Sequence, residues 1–362
     1  MDFRKKRGAA AKSAAVTLSV VVLATACGGS DSASGEQETL VVASWGAYFT
    51  EATRTHLADP FTEETGIEVE IVDAPGKYAA NLEAQQQADN VQWDLLDSTS
   101  APDAYQMAHD GLIQPLPEDL RTELEGVLGE EAVEEFGFTF SNLGYVIACN
   151  TEEVADCPDS QEAFFDTDAH PQRRQMISTL PLLNLSLAEM AAGVPAEDIP
   201  THEIDMDRAF ATLEEIKPEV KVWWESGDQM EQAFRNGEVD MGIAYSGRAF
   251  GLAENGQPIE VQWSGGVYNP GFWNVATDAP HSEAAFQFLE WVAKNPEAQA
   301  KWAEHTKYSV PHPEAFDYMD DEFKTQLADW PDNRAQLTTL NYQWYAENSE
   351  EVNRRWQEFL RG

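Results

Sequence analysis

Positive charge is scarce in this sequence: 23 Lys and Arg stand against 64 Asp and Glu over 362 residues, a formal charge of −41. So acidic a chain has little with which to neutralise phosphates, which excludes nucleic acid as a partner. The acids gather in runs such as Glu118-Asp119 and Glu130-Glu131, the pattern of solvated helix faces. Cysteine is equally sparse, with three residues and no CxxC or HxxxH spacing, so no zinc or other metal site is expected. The seven histidines (His56, His109, His170, His202, His281, His305, His312) are scattered singly. Also missing are a G-x-S-x-G elbow, H-E-x-x-H, a P-loop and G-x-G-x-x-G, so the expectation is a non-enzyme without a cofactor. No long apolar run follows residue 26, and nothing beyond that point is expected to span a membrane.

What is present begins with a leader. Arg4, Lys5, Lys6, Arg7 and Lys12 precede an uncharged apolar run from Ala14 to Ala26, too short for a span of about 20 residues but suited to a signal peptide. Small residues ahead of Cys27 resemble the lipobox of bacterial lipoproteins, although Ala24 stands where a large aliphatic is usual. Residues 1–26 are therefore expected to be a lipoprotein signal peptide, with Cys27 acylated and holding the protein on the outer face of the cell membrane. The alternative is an ordinary cleaved signal with an unrelated cysteine. Residues 27–38 are rich in Gly, Ser, Asp and Glu and read as a flexible tether. Losing the leader, with five positive residues and one negative, takes the charge from −41 to about −45. Cys149 and Cys157 remain for an oxidising compartment, either as a disulfide across a polar turn or as two free thiols.

The body is 43% hydrophobic with 11 Trp, ample for a folded core, and long enough for two domains. Strand-like segments at Thr39–Trp45, Ile67–Val72, Asp94–Thr99, Tyr145–Cys149, Val220–Trp224, Val239–Tyr245, Ile259–Trp263 and Phe272–Thr277 alternate with helical ones. The helices read at 50–65, 75–88, 103–110, 207–216, 227–236, 281–293, 296–305 and 347–361. Such alternation implies an α/β fold with mostly parallel sheets.

Ordered segments then resemble the spermidine/putrescine-type solute-binding proteins of bacterial ABC importers. They are Ser44–Tyr48 with Pro60–Val69, Trp93–Thr99 with Gly111–Leu116, Asn236–Gly242 through Phe250, and Gly265-Gly266. The resemblance implies a two-lobed periplasmic-binding-protein fold of type II-like topology with a ligand cleft between the lobes. Lobe 1 would comprise residues 39–142 and 271–309, and lobe 2 residues 143–270 and 310–362. It further implies a monomer that hands a small solute to an ABC permease, and it puts Trp45, Tyr48, Ser98, Ser100, Ser226, Tyr245, Arg248, Tyr268 and Tyr308 at or near the cleft.

The residues depart from the polyamine pattern where acids should be. Ala47 occupies the place of an amine-binding carboxylate, Arg248 stands where an Asp is found, and 179–186 has no acid. An Arg facing a diammonium ligand is costly, so the expected solute is zwitterionic or anionic, gripped by Arg248 among aromatic rings. Three readings stay open beside it: a true polyamine binder, a ferric-ion binder and a non-transport surface sensor. Arg248 itself could instead join a salt bridge within its lobe, and Ser226 could be a helix cap.

Overall fold

In the computed structural model, residues 39–46 and 48–362 are described. The expected leader, tether and Cys27 lie outside them, as does Ala47. Eleven strands form two sheets among the described residues. They are β1 (Thr39–Ser44), β2 (Glu68–Asp73), β3 (Leu95–Ser100), β4 (Val133–Glu134), β5 (Gly137–Thr139), β6 (Leu143–Asn150), β7 (Arg174–Ile177), β8 (Val220–Trp224), β9 (Met241–Tyr245), β10 (Ile259–Asn269) and β11 (Gly271–Val275).

The first sheet has the order β2-β1-β3-β11-β5-β4 and the second β10-β6-β9-β7-β8. Neither is mostly parallel, contrary to the expectation from alternation. β1, β2 and β3 run parallel, as do β7, β8 and β9, but β11 is antiparallel to β3 and β6 is antiparallel to β9. The reason is connectivity. β6 and β11 each begin just after the chain has crossed from one sheet to the other, so each runs away from the cleft while the parallel strands run towards it. Their N-terminal ends therefore stand beside the C-terminal ends of the parallel strands, where ligands of open α/β sheets bind.

The helices follow local chemistry. The first helical stretch stops at Gly66, whose φ of +80° closes the helix in the left-handed region. Five residues within it, Arg54–Ala58, take a π-helical turn. The C-terminal helix spans Tyr342–Arg361, starting five residues before its expected start because Asn341 caps it by accepting from the Trp344 N–H. Val352, Trp356 and Phe359 on its buried face pack with Phe210 and Trp223 of the second lobe.

Residues 310–362, expected entirely on lobe 2, divide between the lobes. Val310, Ala315, Met319 and Leu327 join the core under the first sheet, whereas the final helix packs largely on the second. The chain thus passes between lobes at 140–142, at 269–271 and again after Leu327. Cys149, on β6, forms a disulfide with Cys157, their Cα atoms 5.9 Å apart. Among the described residues no helix is long and apolar enough to cross a membrane.

Candidate functional site

The C-terminal ends of β1 and β3 are built around one carboxylate. Asp97 is fully buried and accepts from the Ser44 hydroxyl (2.7 Å), the Trp45 backbone N–H (3.0 Å) and the Tyr78 hydroxyl (3.1 Å). Burial pushes its pKa up to about 6 against these donors. The turn it holds leads from Trp45 to the helix that opens with Tyr48, and both rings are 39% exposed.

On the second lobe β9 ends at Tyr245, and the following helix, Ser246–Glu254, carries Arg248 in its first turn. Tyr245 is fixed by ring contacts with Tyr145 (5.4 Å) and Trp224 (5.0 Å). From the first lobe Tyr308 comes up behind Tyr48, its ring 5.1 Å from Phe49. Tyr48, Tyr245, Arg248 and Tyr308 line one cavity of about 280 Å³, together with Leu143, Glu231, Arg235, Asn255 and Lys307. Residues of both lobes contribute, and burial raises the pKa of all three tyrosines, so they stay neutral donors.

Arg248 Nη1 donates to Asp228 Oδ1 at 2.7 Å and to Glu231 Oε1 at 2.8 Å. Burial pulls its pKa down, but the two carboxylates outweigh this and the net shift is upward. The lobe salt bridge and the cleft position, set as alternatives by the sequence, therefore coexist. Three cationic residues line the cavity (Arg235, Arg248, Lys307) against one carboxylate, Glu231.

The other expected residues are placed differently. Trp45 lies against Tyr78, ring centroids 6.1 Å apart, and is not among the residues lining the cavity. Ser98 is buried with φ +48°, and its hydroxyl has no hydrogen-bond partner among the described residues. Ser100 caps the helix Ala101–His109, and Ser226 caps Gly227–Arg235. Tyr268 is 5% exposed and donates to Asp329 at 2.8 Å. A second space of about 20 Å³ lies between Pro102, Leu180–Leu183, Leu340 and Tyr345, behind the Tyr145–Tyr245 pair. It is apolar, in keeping with the lack of acids in 179–186.

Glu231 and Arg235 were not foreseen. A signal existed: Asp228, Glu231 and Arg235 recur at three- and four-residue steps, which puts them on one helix face. Their meeting with Arg248, 13 residues or more away in sequence, was not readable from that spacing. Among the described residues no group of three or more His, Cys, Asp or Glu could hold a metal ion.

The profile of bacterial extracellular solute-binding proteins matches residues 56–334. A γ-aminobutyric acid-binding protein of Pseudomonas aeruginosa is 26% identical over 328 residues, covering 89% of this chain and 91% of the relative. A solved GABA receptor superposes with a TM-score of 0.78 at 28% identity, over 89% of this chain and 97% of that one. The spermidine/putrescine-binding periplasmic protein of Escherichia coli is 24% identical over 142 residues, 39% of each chain. These relatives are named for binding small solutes, and the matching family is extracellular. The chain belongs to the bacterial extracellular solute-binding proteins, the substrate-binding proteins of ABC transporters.

Proposed function

We propose that this protein captures a small zwitterionic amino acid of the ω-amino type and delivers it to its permease from a lipid anchor at Cys27. The observation that carries the reading is Arg248 in a cavity shared with Tyr48, Tyr245 and Tyr308. A guanidinium matches a carboxylate in geometry and charge, and tyrosine faces and hydroxyls receive an ammonium group.

Magnitudes favour this over a polyamine. At about 280 Å³ the cavity is near the small end of ligand pockets, which run from about 300 to 1,000 Å³. A diamine there meets more lining cations than anions. Like charges about 6 Å apart repel by about 3 kcal/mol at an effective dielectric of 20. Micromolar capture needs only about 8 kcal/mol net, within reach of one charge-assisted pair and two or three ring contacts. Closure of the lobes over the solute, and recognition of the closed form by the permease, complete the cycle. The GABA-binding relative supports the ligand class.

Isothermal titration with GABA, 5-aminovalerate, putrescine and spermidine tests it. GABA or 5-aminovalerate is expected to bind at micromolar or tighter, and Arg248→Ala to lose at least 100-fold. Tight binding of putrescine without binding of either amino acid overturns the reading. Mass spectrometry of membrane-extracted protein checks the anchor: an acylated Cys27 N-terminus is expected, and a water-soluble, unacylated mature protein refutes it.

A further inference from the structure

Arg248 lies across the first turn of the neighbouring helix, Gly227–Arg235, and that turn has room for it only because residue 227 has no side chain. A Cβ on Gly227 would stand 2.5 Å from Arg248 Cδ and 2.6 Å from Cζ, and closer still to Nε. Real Cβ atoms do not approach other atoms so closely, so the guanidinium would have to move. The backbone gives no separate reason for glycine, because residue 227 is not among those with positive φ. Elsewhere inside a helix a glycine is a weakness that alanine corrects. Here the arginine explains it.

The electrostatics of this seat are adverse unless compensated. A helix N-terminus carries about half a positive charge, and Arg248 sits directly on one. Asp228 and Glu231, from the same helix, supply the opposite sign through Nη1. Glu231 is held from its other side as well: Oε2 accepts from Arg235 Nη2 at 2.6 Å. With one oxygen on each arginine its carboxylate cannot rotate, and Nη1 of Arg248 is fixed with it. Nη2 has no protein acceptor among the described residues.

We infer that Gly227 and Arg235 are positioning residues for recognition of the solute's carboxylate: the bare first turn seats the guanidinium, and the Arg235–Glu231 pair sets its rotation. The inference rests on the reading that Arg248 receives that carboxylate. It adds that this selectivity is encoded at Gly227, which does not line the cavity, and at Arg235, which lines it but acts through Glu231.

The test is a double-mutant cycle read by titration with GABA and by thermal unfolding. Gly227→Ala should weaken GABA binding at least tenfold and lower Tm, because the arginine is displaced. In the Arg248→Ala background the same change should leave the residual GABA affinity unaltered and raise Tm, as alanine in a helix ordinarily does. Arg235→Gln should weaken GABA binding three- to tenfold, and Arg235→Lys, which keeps a cation on Glu231, should recover to within twofold. If Gly227→Ala binds GABA as the unmutated protein does, or raises Tm in both backgrounds, the positioning role is wrong while the carboxylate reading stands. If the unmutated protein binds putrescine and not GABA, the carboxylate reading fails and takes this inference with it.

Discussion

Tyr268 donates its hydroxyl to Asp329 Oδ1 at 2.8 Å, joining the end of β10 to the segment by which the chain finally leaves the first lobe. Asp329 Oδ2 accepts from Asn142 at 2.9 Å, and the Asp329 N–H donates to Ser309 Oγ at 3.1 Å. Each of these residues lies at or beside a passage between lobes. One partly buried carboxylate therefore ties the crossings together, and its desolvation raises its pKa. Tyr268 is buried beside the crossings and is not among the residues that line the cavity.

Removing that tie has a defined cost. Tyr268→Phe leaves a partly buried carboxylate oxygen short of a donor, about 1 kcal/mol of stability. Asp329→Ala strands Tyr268 and Asn142 together and should cost about 3 kcal/mol or more. Denaturant unfolding gives the first number. Hydrogen exchange should show faster opening at 140–143 and 268–271 in both variants. Unchanged exchange there would mean that the crossings are held by their backbone pairing alone.

Asp97 gives a pH dependence. Its folded pKa of about 6 exceeds the ordinary value of 3.8, so the folded protein holds an extra proton between the two. Stability from this group is therefore greatest in acid and is lost as pH rises through that window. From pH 4.5 to pH 7 the loss is about 2 kcal/mol. Asp97→Asn cannot titrate and should lack it. The stability difference, wild type minus variant, should thus fall by about 2 kcal/mol over that range. Parallel profiles would place the Asp97 pKa near its ordinary value.

Among the described residues, buried Arg174 has no carboxylate partner in hydrogen-bonding contact. Its guanidinium donates to the carbonyls of Phe164 (2.9 Å) and Gln172 (2.8 Å), and also to those of Asp166 and His170. Burial pulls its pKa down to about 10, still charged at neutral pH. A planar fork satisfies several carbonyls at once and an ammonium does not. Arg174→Lys should lose about 2–4 kcal/mol and Arg174→Met at least as much, with 164–172 becoming the first site of protease cleavage. A lysine variant as stable as the parent would show that water can replace the fork.

These cases show what the sequence could and could not disclose. Tyr48, Tyr245, Arg248 and Tyr308, which the family resemblance puts at or near the cleft, line one cavity. The helix Pro181–Ala191 escaped notice because ten of its 11 residues are buried, which erases the polar face that marks helical periodicity. β7 was hidden by Arg174 and Gln175, polar residues buried at 0% exposure. Asp97 and Asp329 act through partners 53 and 187 residues away, distances at which no local pattern survives. Ser100 and Ser226 each accept a backbone N–H at a helix start, the cap reading that the sequence had left open for Ser226.

Asp228 leads to the sharpest test of the cleft. Its side chain is 89% exposed, yet it holds Arg248 Nη1 at 2.7 Å. It is the carboxylate that an incoming solute would have to displace or share with, whereas Glu231 is 16% exposed and pinned by Arg235. Asp228→Ala therefore removes a competitor without freeing the arginine, because the Glu231 bond remains. It also makes the cavity more positive. Affinity for GABA should rise three- to tenfold, about 0.7–1.4 kcal/mol, and the gain should shrink between 20 mM and 500 mM salt as screening takes over. Tm should fall slightly, since a carboxylate in a helix's first turn contributes about 0.3–1 kcal/mol. Tighter binding with a lower Tm separates competition from support. Weaker binding would mean that Asp228 is needed to aim the guanidinium, and equal binding would put the solute's carboxylate elsewhere in the cleft.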